Sequence, residues 1–267
     1  MYGPGTLMPR FHHGFIGQDS INACLLAKRG ITGPIEDVLT GPKGFLNQFS
    51  KNWKTDPSAL TKGLGEEWEM TKTMIKSYVT TFCAHAQVYG TLELMKKHDI
   101  KFGDIESMAL GIDRSCWNPM SGATEAKYNP KTAEDCRFSV PYVVATAAHD
   151  GGVFIDSFTP KAMSRAEIRA LMAKISMEGM SGTPNFSSKV TIKLKNGSEY
   201  SGEFYHIKGH PKNPFTKEEF VEKFKICANY CTYKLSDDTI NSVVDTILNL
   251  ERAEDVVASL IQPLTPD

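Results

Sequence analysis

The chain has 267 residues, 41% of them hydrophobic, enough to bury the core of one large domain or two small ones. Lysine plus arginine number 30 against 31 for aspartate plus glutamate, a balance that argues against a general nucleic-acid or membrane-surface binder, which would show a basic excess. No stretch reaches the ~18 apolar residues of a membrane span, and the start of the chain, with Gly3, Pro4, Gly5 and Pro9, lacks the apolar run of a secretory signal. A reducing cytoplasm is therefore the expected compartment. The six cysteines, at 24, 83, 116, 136, 227 and 231, are expected to be thiols.

Residues 1–16 read as irregular. Asp19 and Ser20 are placed to cap a helix running to about Arg29, with Gly30 to stop it. Thr32-Gly33-Pro34 opens a short helix that ends near Gly41-Pro42, and a segment from about 53 to 75 carries Trp53, Trp68 and Met70. His85 to Lys97 has Val88, Leu92 and Met95 at helical spacing. Met108, Leu110 and Ile112 alternate as in a strand, and a polar loop follows from Asp113 to Arg137, with turn signals at Asn118-Pro119 and Ser121-Gly122.

Ser139 caps a helix that carries Tyr142 and stops at Gly151-Gly152. Ser164 and Glu167 form a capping box for a helix presenting Ile168, Leu171, Met172 and Ile175. Val190, Ile192 and Leu194 alternate up to Asn196-Gly197, and Tyr200, Gly202 and Phe204 alternate after it. This is a hairpin pattern, with Asn-Gly suited to a type I′ turn. Thr216 and Glu219 form another capping box. Phe220, Phe224 and Cys227, then Ile240, Val243, Val244, Ile247 and Leu250, form stripes that read as core. Cys227 and Cys231 share a helical face; with no second pair of ligands, packing is a better reading than a metal site.

The order is helical, then α+β, then helical. It predicts a mainly α fold with an inserted α+β lid: residues 1–75 helical, 76–208 the lid, and 209–267 helical again.

Three places could carry chemistry. Arg10-Phe11-His12-His13-Gly14 sets a guanidinium and two imidazoles beside a glycine, a carboxylate clamp or an acid–base histidine, against surface histidines at a chain end. Lys76 and His85 are nine apart and cannot share a helical face. A loop running into a helix start would bring them together and offer backbone N–H groups to an anion. On spacing alone, a surface lysine and a satisfied histidine are the better reading. Tyr142 is a packing residue unless nearby cations favour its phenolate for proton transfer. No phosphate-binding loop, dinucleotide fingerprint or zinc-binding H-E-x-x-H occurs, so neither cofactor nor metal is expected.

Taken together, these segments resemble the MmgE/PrpD family, which includes 2-methylcitrate dehydratase, cis-aconitate decarboxylase and iminodisuccinate epimerase. The likeness is carried by Arg10 to Gly14, Leu25 to Pro34, Leu39 to Phe45, Ile75-Lys76 through His85, Phe138 to Ala145, and Gly209-His210-Pro211-Lys212-Asn213-Pro214 followed by Lys223-Phe224. It implies a large helical domain with an α+β lid, usually homodimeric, and a site between them. By similarity His12 falls on the histidine of the family's K-R-x-H-x-G motif, Lys76 and His85 on its K-x-[YF]-P…H motif, and Tyr142 on its active-site tyrosine. Departures are Pro9, where the family has lysine, and Val79, where it has proline.

The resemblance also implies an upstream helical region that supplies further site residues, and this chain starts after it. The expectation is a C-terminal portion, a subunit joined by a chain supplying that helical half, or a non-catalytic paralogue. The implied activity is a metal-independent lyase on a small di- or tricarboxylate, first 2-methylcitrate dehydration, alternatively decarboxylation or epimerisation. His12, Lys76, His85 and Tyr142 would be catalytic, and Arg10 and His13 would bind substrate. Homodimerisation is expected; nucleic acid and membrane are not expected partners.

Overall fold

The computed structural model describes residues 8–50, 56–117 and 122–265, with side chains from Phe11 onward. The Arg10 side chain, Trp53 and the Asn118-Pro119 turn lie outside the described residues. The chain divides into two compact units, Met1–Ile207 and Lys208–Asp267. Among the described residues no helix is long and apolar enough to cross a membrane.

The first unit begins with α1 (Met8–Lys28). This corrects the irregular start: Pro9 sits in the first turn, where its missing N–H has no helical partner to lose. The stop at Gly30 is as read, with φ of +89°. No helix follows Thr32-Gly33-Pro34. That stretch is turns up to α2 (Phe45–Phe49), and 3₁₀ turns occupy Pro57–Leu60 and Glu69–Lys72.

The core lies farther along. Helix α3 (His85–His98) leads into β1 (Ile105–Asp113), then the short α4 (Glu125–Tyr128) and α5 (Ala133–Arg137), and α6 (Val140–Asp150). Helices α7 (Pro160–Met163) and α8 (Ala166–Met172) precede β2 (Ile175–Met180), β3 (Ser188–Leu194) and β4 (Glu199–Phe204). The sheet order is β2-β1-β3-β4. β1 runs parallel to β2, as a long helical crossover allows, and antiparallel to β3. Met108, Leu110 and Ile112 of β1 and Val190, Ile192 and Leu194 of β3 are buried in one core with the apolar residues of α3, α6 and α8. With its helices and four-stranded mixed sheet, this part is an α+β fold.

Three local expectations change here. Ser164 does not cap α8; its hydroxyl donates to the Lys161 carbonyl in the preceding turn, and the residue before α8 is Arg165, without a side-chain cap. Ile175 opens β2 rather than closing a helix, because it pairs with Met108. The hairpin forms at Asn196-Gly197, but only Gly197 takes positive φ (+88°), so the turn is not type I′. Gly197 N–H donates to the Leu194 carbonyl, and Leu194 N–H to that of Ser198. This is a three-residue loop closed by a left-handed glycine.

The second unit holds α9 (Lys217–Ala228) and α10 (Asp237–Leu248). The Thr216–Glu219 capping box is present at 3.2 and 2.7 Å. Its stripes are not the enclosed core expected from their spacing. Ile240 and Val243 are buried, but Phe220 is 44% and Ile247 45% exposed. Cys227 and Cys231 are exposed as well. So short a unit has too little chain to close over two apolar faces.

Candidate functional site

The segment from Lys76 to His85 is loop and 3₁₀ turn, so its backbone groups need partners other than a helix or a sheet. It finds several around α6. Thr80 Oγ1 donates to the Arg137 carbonyl at 2.7 Å, and Thr81 N–H donates to the same oxygen at 3.3 Å. Val79 N–H donates to the Val153 carbonyl at 3.3 Å. The segment is thus pinned just before α6 and again just after it.

Within this frame Lys76 and His85 meet neighbouring carbonyls. Lys76 Nζ donates to the Thr80 carbonyl at 2.8 Å while the residue stays exposed. His85 is fully buried, with Nδ1 3.0 Å from the Thr81 carbonyl and Nε2 accepting the Tyr78 N–H at 3.3 Å. A carbonyl only accepts and an amide only donates, so the ring is a neutral imidazole with its proton on Nδ1. Phe82 stacks on it at 4.9 Å. Ala84, His85 and Ala86 are all buried, so the helix start expected to receive an anion is closed.

Tyr142 lies in the first turn of α6, whose cap is Ser139: the Tyr142 N–H donates to Ser139 Oγ at 3.2 Å. Tyr142 is fully buried, and its hydroxyl donates to the Ser157 carbonyl. The Arg169 guanidinium sits 5.6 Å from its ring centre. The phenol is nevertheless pushed up from its ordinary value, because burial outweighs the pull of Arg165 and Arg169. The expected phenolate is therefore not favoured. Beside it, burial pushes the Cys136 thiol up to about 11, with Arg169 opposing, which leaves an unreactive thiol.

His12 and His13 stand exposed on α1. The structure therefore sets Lys76 and His85 on one turn, with Tyr142 in the helix that turn is pinned around and His12 and His13 exposed on α1.

Three features lay beyond sequence reading. Cys83 and Cys116 form a disulfide, with Cα atoms 5.2 Å apart, which corrects the expectation of six thiols. They are 33 residues apart, and only the fold brings the turn before α3 to the end of β1. Asp113, at that strand end, is 1% exposed; its Oδ1 accepts from Ser115, and its Oδ2 has no hydrogen-bond partner among the described residues. The Arg137 carbonyl, a backbone group, carries no sequence signal at all.

A family profile described as the MmgE/PrpD C-terminal domain matches residues 78–249. The chain is 29% identical to a human cis-aconitate decarboxylase over 143 residues, covering 51% of this chain and 29% of that protein. It is 22% identical over 263 residues to a cis-aconitate decarboxylase-like protein, oryM, of Aspergillus oryzae, covering 94% and 53%. A mouse cis-aconitate decarboxylase is 27% identical over 130 residues, covering 47% and 26%. The chain thus spans at most about half the length of these relatives.

Proposed function

The chain belongs to the MmgE/PrpD family through its C-terminal domain, and from that membership we propose that it serves a lyase that removes CO₂ from a small unsaturated tricarboxylate such as cis-aconitate. The observation that carries this reading is the name shared by the three relatives above. It moves the first choice from 2-methylcitrate dehydration, which none of those three names supports, to the decarboxylation that stood as its alternative.

The chemistry fits the residue types. Loss of CO₂ breaks a carbon–carbon bond and leaves the electron pair spread over the alkene and a neighbouring carboxylate until a proton arrives. A fixed cation stabilises that charge as it develops. Lys76, exposed on a braced turn, takes this role and holds a substrate carboxylate. Arg10 and His13 are further carboxylate contacts in this reading. His12, an exposed imidazole, delivers the proton. His85, fully buried, braces the turn that carries Lys76, and Tyr142, also fully buried, lies in the helix around which that turn is pinned.

The test follows CO₂ release from cis-aconitate, with 2-methylcitrate as a second substrate. Lys76→Ala is expected to lower kcat/KM about 10²- to 10³-fold, the usual loss when a charge-stabilising donor is removed. Equal turnover by Lys76→Ala would remove that residue from the site. Dehydration of 2-methylcitrate without CO₂ release from cis-aconitate would restore the dehydratase reading. Binding of neither acid would make the chain a non-catalytic subunit.

A further inference from the structure

His85 is the first residue of α3, yet its ring serves the backbone ahead of the helix. Nε2 takes the Tyr78 N–H and Nδ1–H serves the Thr81 carbonyl. Between those two residues lies Thr80, whose carbonyl holds Lys76 Nζ. The imidazole therefore closes the 78–81 turn from the protein side and Lys76 closes it from the solvent side. Phe82 lies parallel to the imidazole, 6° between planes, and the Tyr78 ring is 5.4 Å away. Both nitrogens are committed to backbone groups, and the residue has no exposed surface through which to pass a proton. Neutral imidazole suits this place because a rigid ring carries a donor and an acceptor on separate atoms, at little entropic cost.

We infer that His85 is a positioning residue: by clasping Tyr78 and Thr81 it fixes the Thr80 carbonyl and, through it, the Lys76 ammonium. The inference rests on the proposed function only in taking Lys76 to hold a substrate carboxylate. It separates two roles that the sequence pattern joins, since Lys76 meets the ligand and His85 does not.

The clasp can be read without any substrate. Nitrogen-15 NMR of the ring is expected to show the neutral form with hydrogen on Nδ1. The opposite tautomer, or a charged ring at neutral pH, would overturn the inference. Amide hydrogen exchange at Tyr78 is expected to quicken about tenfold or more in His85→Asn, which loses the Nε2 acceptor, with the rest of α3 unchanged. Unchanged exchange at Tyr78 would count against the clasp.

Catalysis gives a further discriminating measurement. His85→Asn, or His85→Gln should the first variant fold poorly, is expected to lower kcat/KM for cis-aconitate about tenfold, with KM raised and kcat reduced together, because Lys76 both holds the carboxylate and stabilises the developing charge. A collapse of kcat at unchanged KM would make His85 a proton carrier and end the positioning role. Should the unsubstituted chain neither bind nor convert cis-aconitate, the proposed function fails, while the NMR and exchange results still decide the clasp.

Discussion

Burial pushes the Tyr78 hydroxyl up to about 12, and the charges of Tyr89 and Glu93 add to the effect. In an unfolded chain a tyrosine loses its proton near pH ~10. Between about pH 10 and about pH 12 the folded state therefore holds a proton that the unfolded state has lost. The associated stability is complete below that window and falls as pH rises through it. The Tyr142 shift has the same sign. Thermal unfolding followed upward from neutral pH is expected to show melting temperatures dropping across this window, with a shallower drop in Tyr78→Phe. Asp150 acts in the other direction. Arg165 binds both its oxygens at 2.7 Å and holds its carboxyl below the usual range, so its contribution is present at neutral pH and is lost as acid protonates it. Asp150→Asn should accordingly lose less stability than the parent chain as the pH falls below about 4.

At the scale of elements, the caps and close approaches set the expectations. Ser139→Ala removes the side-chain acceptor at the start of α6 and should cost about 1 kcal/mol in denaturant unfolding. Gly90 is a tighter constraint: a Cβ there would come within 2.5 Å of the Phe204 ring and 2.9 Å of Val190, where α3 lies on β3 and β4. Gly90→Ala should cost about 1–3 kcal/mol as an overpacked core. At Gly111 the nearest atom is the Met180 sulfur at 2.6 Å, the end of a flexible side chain, so Gly111→Ala should cost less. The Cys83–Cys116 link closes a loop of 33 residues; opening it with a dithiol should lower stability by about 3–4 kcal/mol on chain-entropy grounds.

These elements also show what the sequence could and could not reveal. The Ser139 and Thr216 caps and the Asn196-Gly197 turn were legible because their partners lie within a few residues. β2 was not, because Ile175 becomes strand only by lying against Met108, and the periodicity of its own neighbours continued a helix. Ser164 and Glu167 had the capping-box spacing, but the Ser164 hydroxyl was already engaged by the preceding turn. For the site, the Lys76 and His85 side chains were visible. The carbonyls of Thr80, Thr81 and Arg137 that give each its place are common to every residue type and leave no mark on a sequence.

On the scale of the molecule, apolar side chains are unevenly enclosed. Phe11, Phe15, Ile16, Ile21, Leu25 and Leu26 of α1 are each at least 50% exposed, while the core around α6 is closed. An apolar face of that extent binds a hydrophobic reporter dye or further protein. Fluorescence of such a dye with the native chain is expected to be high, and paired Ile21→Lys and Leu25→Lys changes should reduce it. Equal fluorescence in the variant would locate the dye elsewhere.

The strand order has a consequence in time. β1 leaves the ribosome before any of its neighbours, and Met108 waits for Ile175 and Ile192 before either side of the strand is paired. More than sixty residues must be synthesised while a strand rich in apolar side chains remains unmatched. Such distant pairings slow folding and prolong the interval in which an unpaired edge can capture another chain. Yield in a cell should therefore depend on chaperones that hold nascent chains at least as much as on the final stability of the sheet.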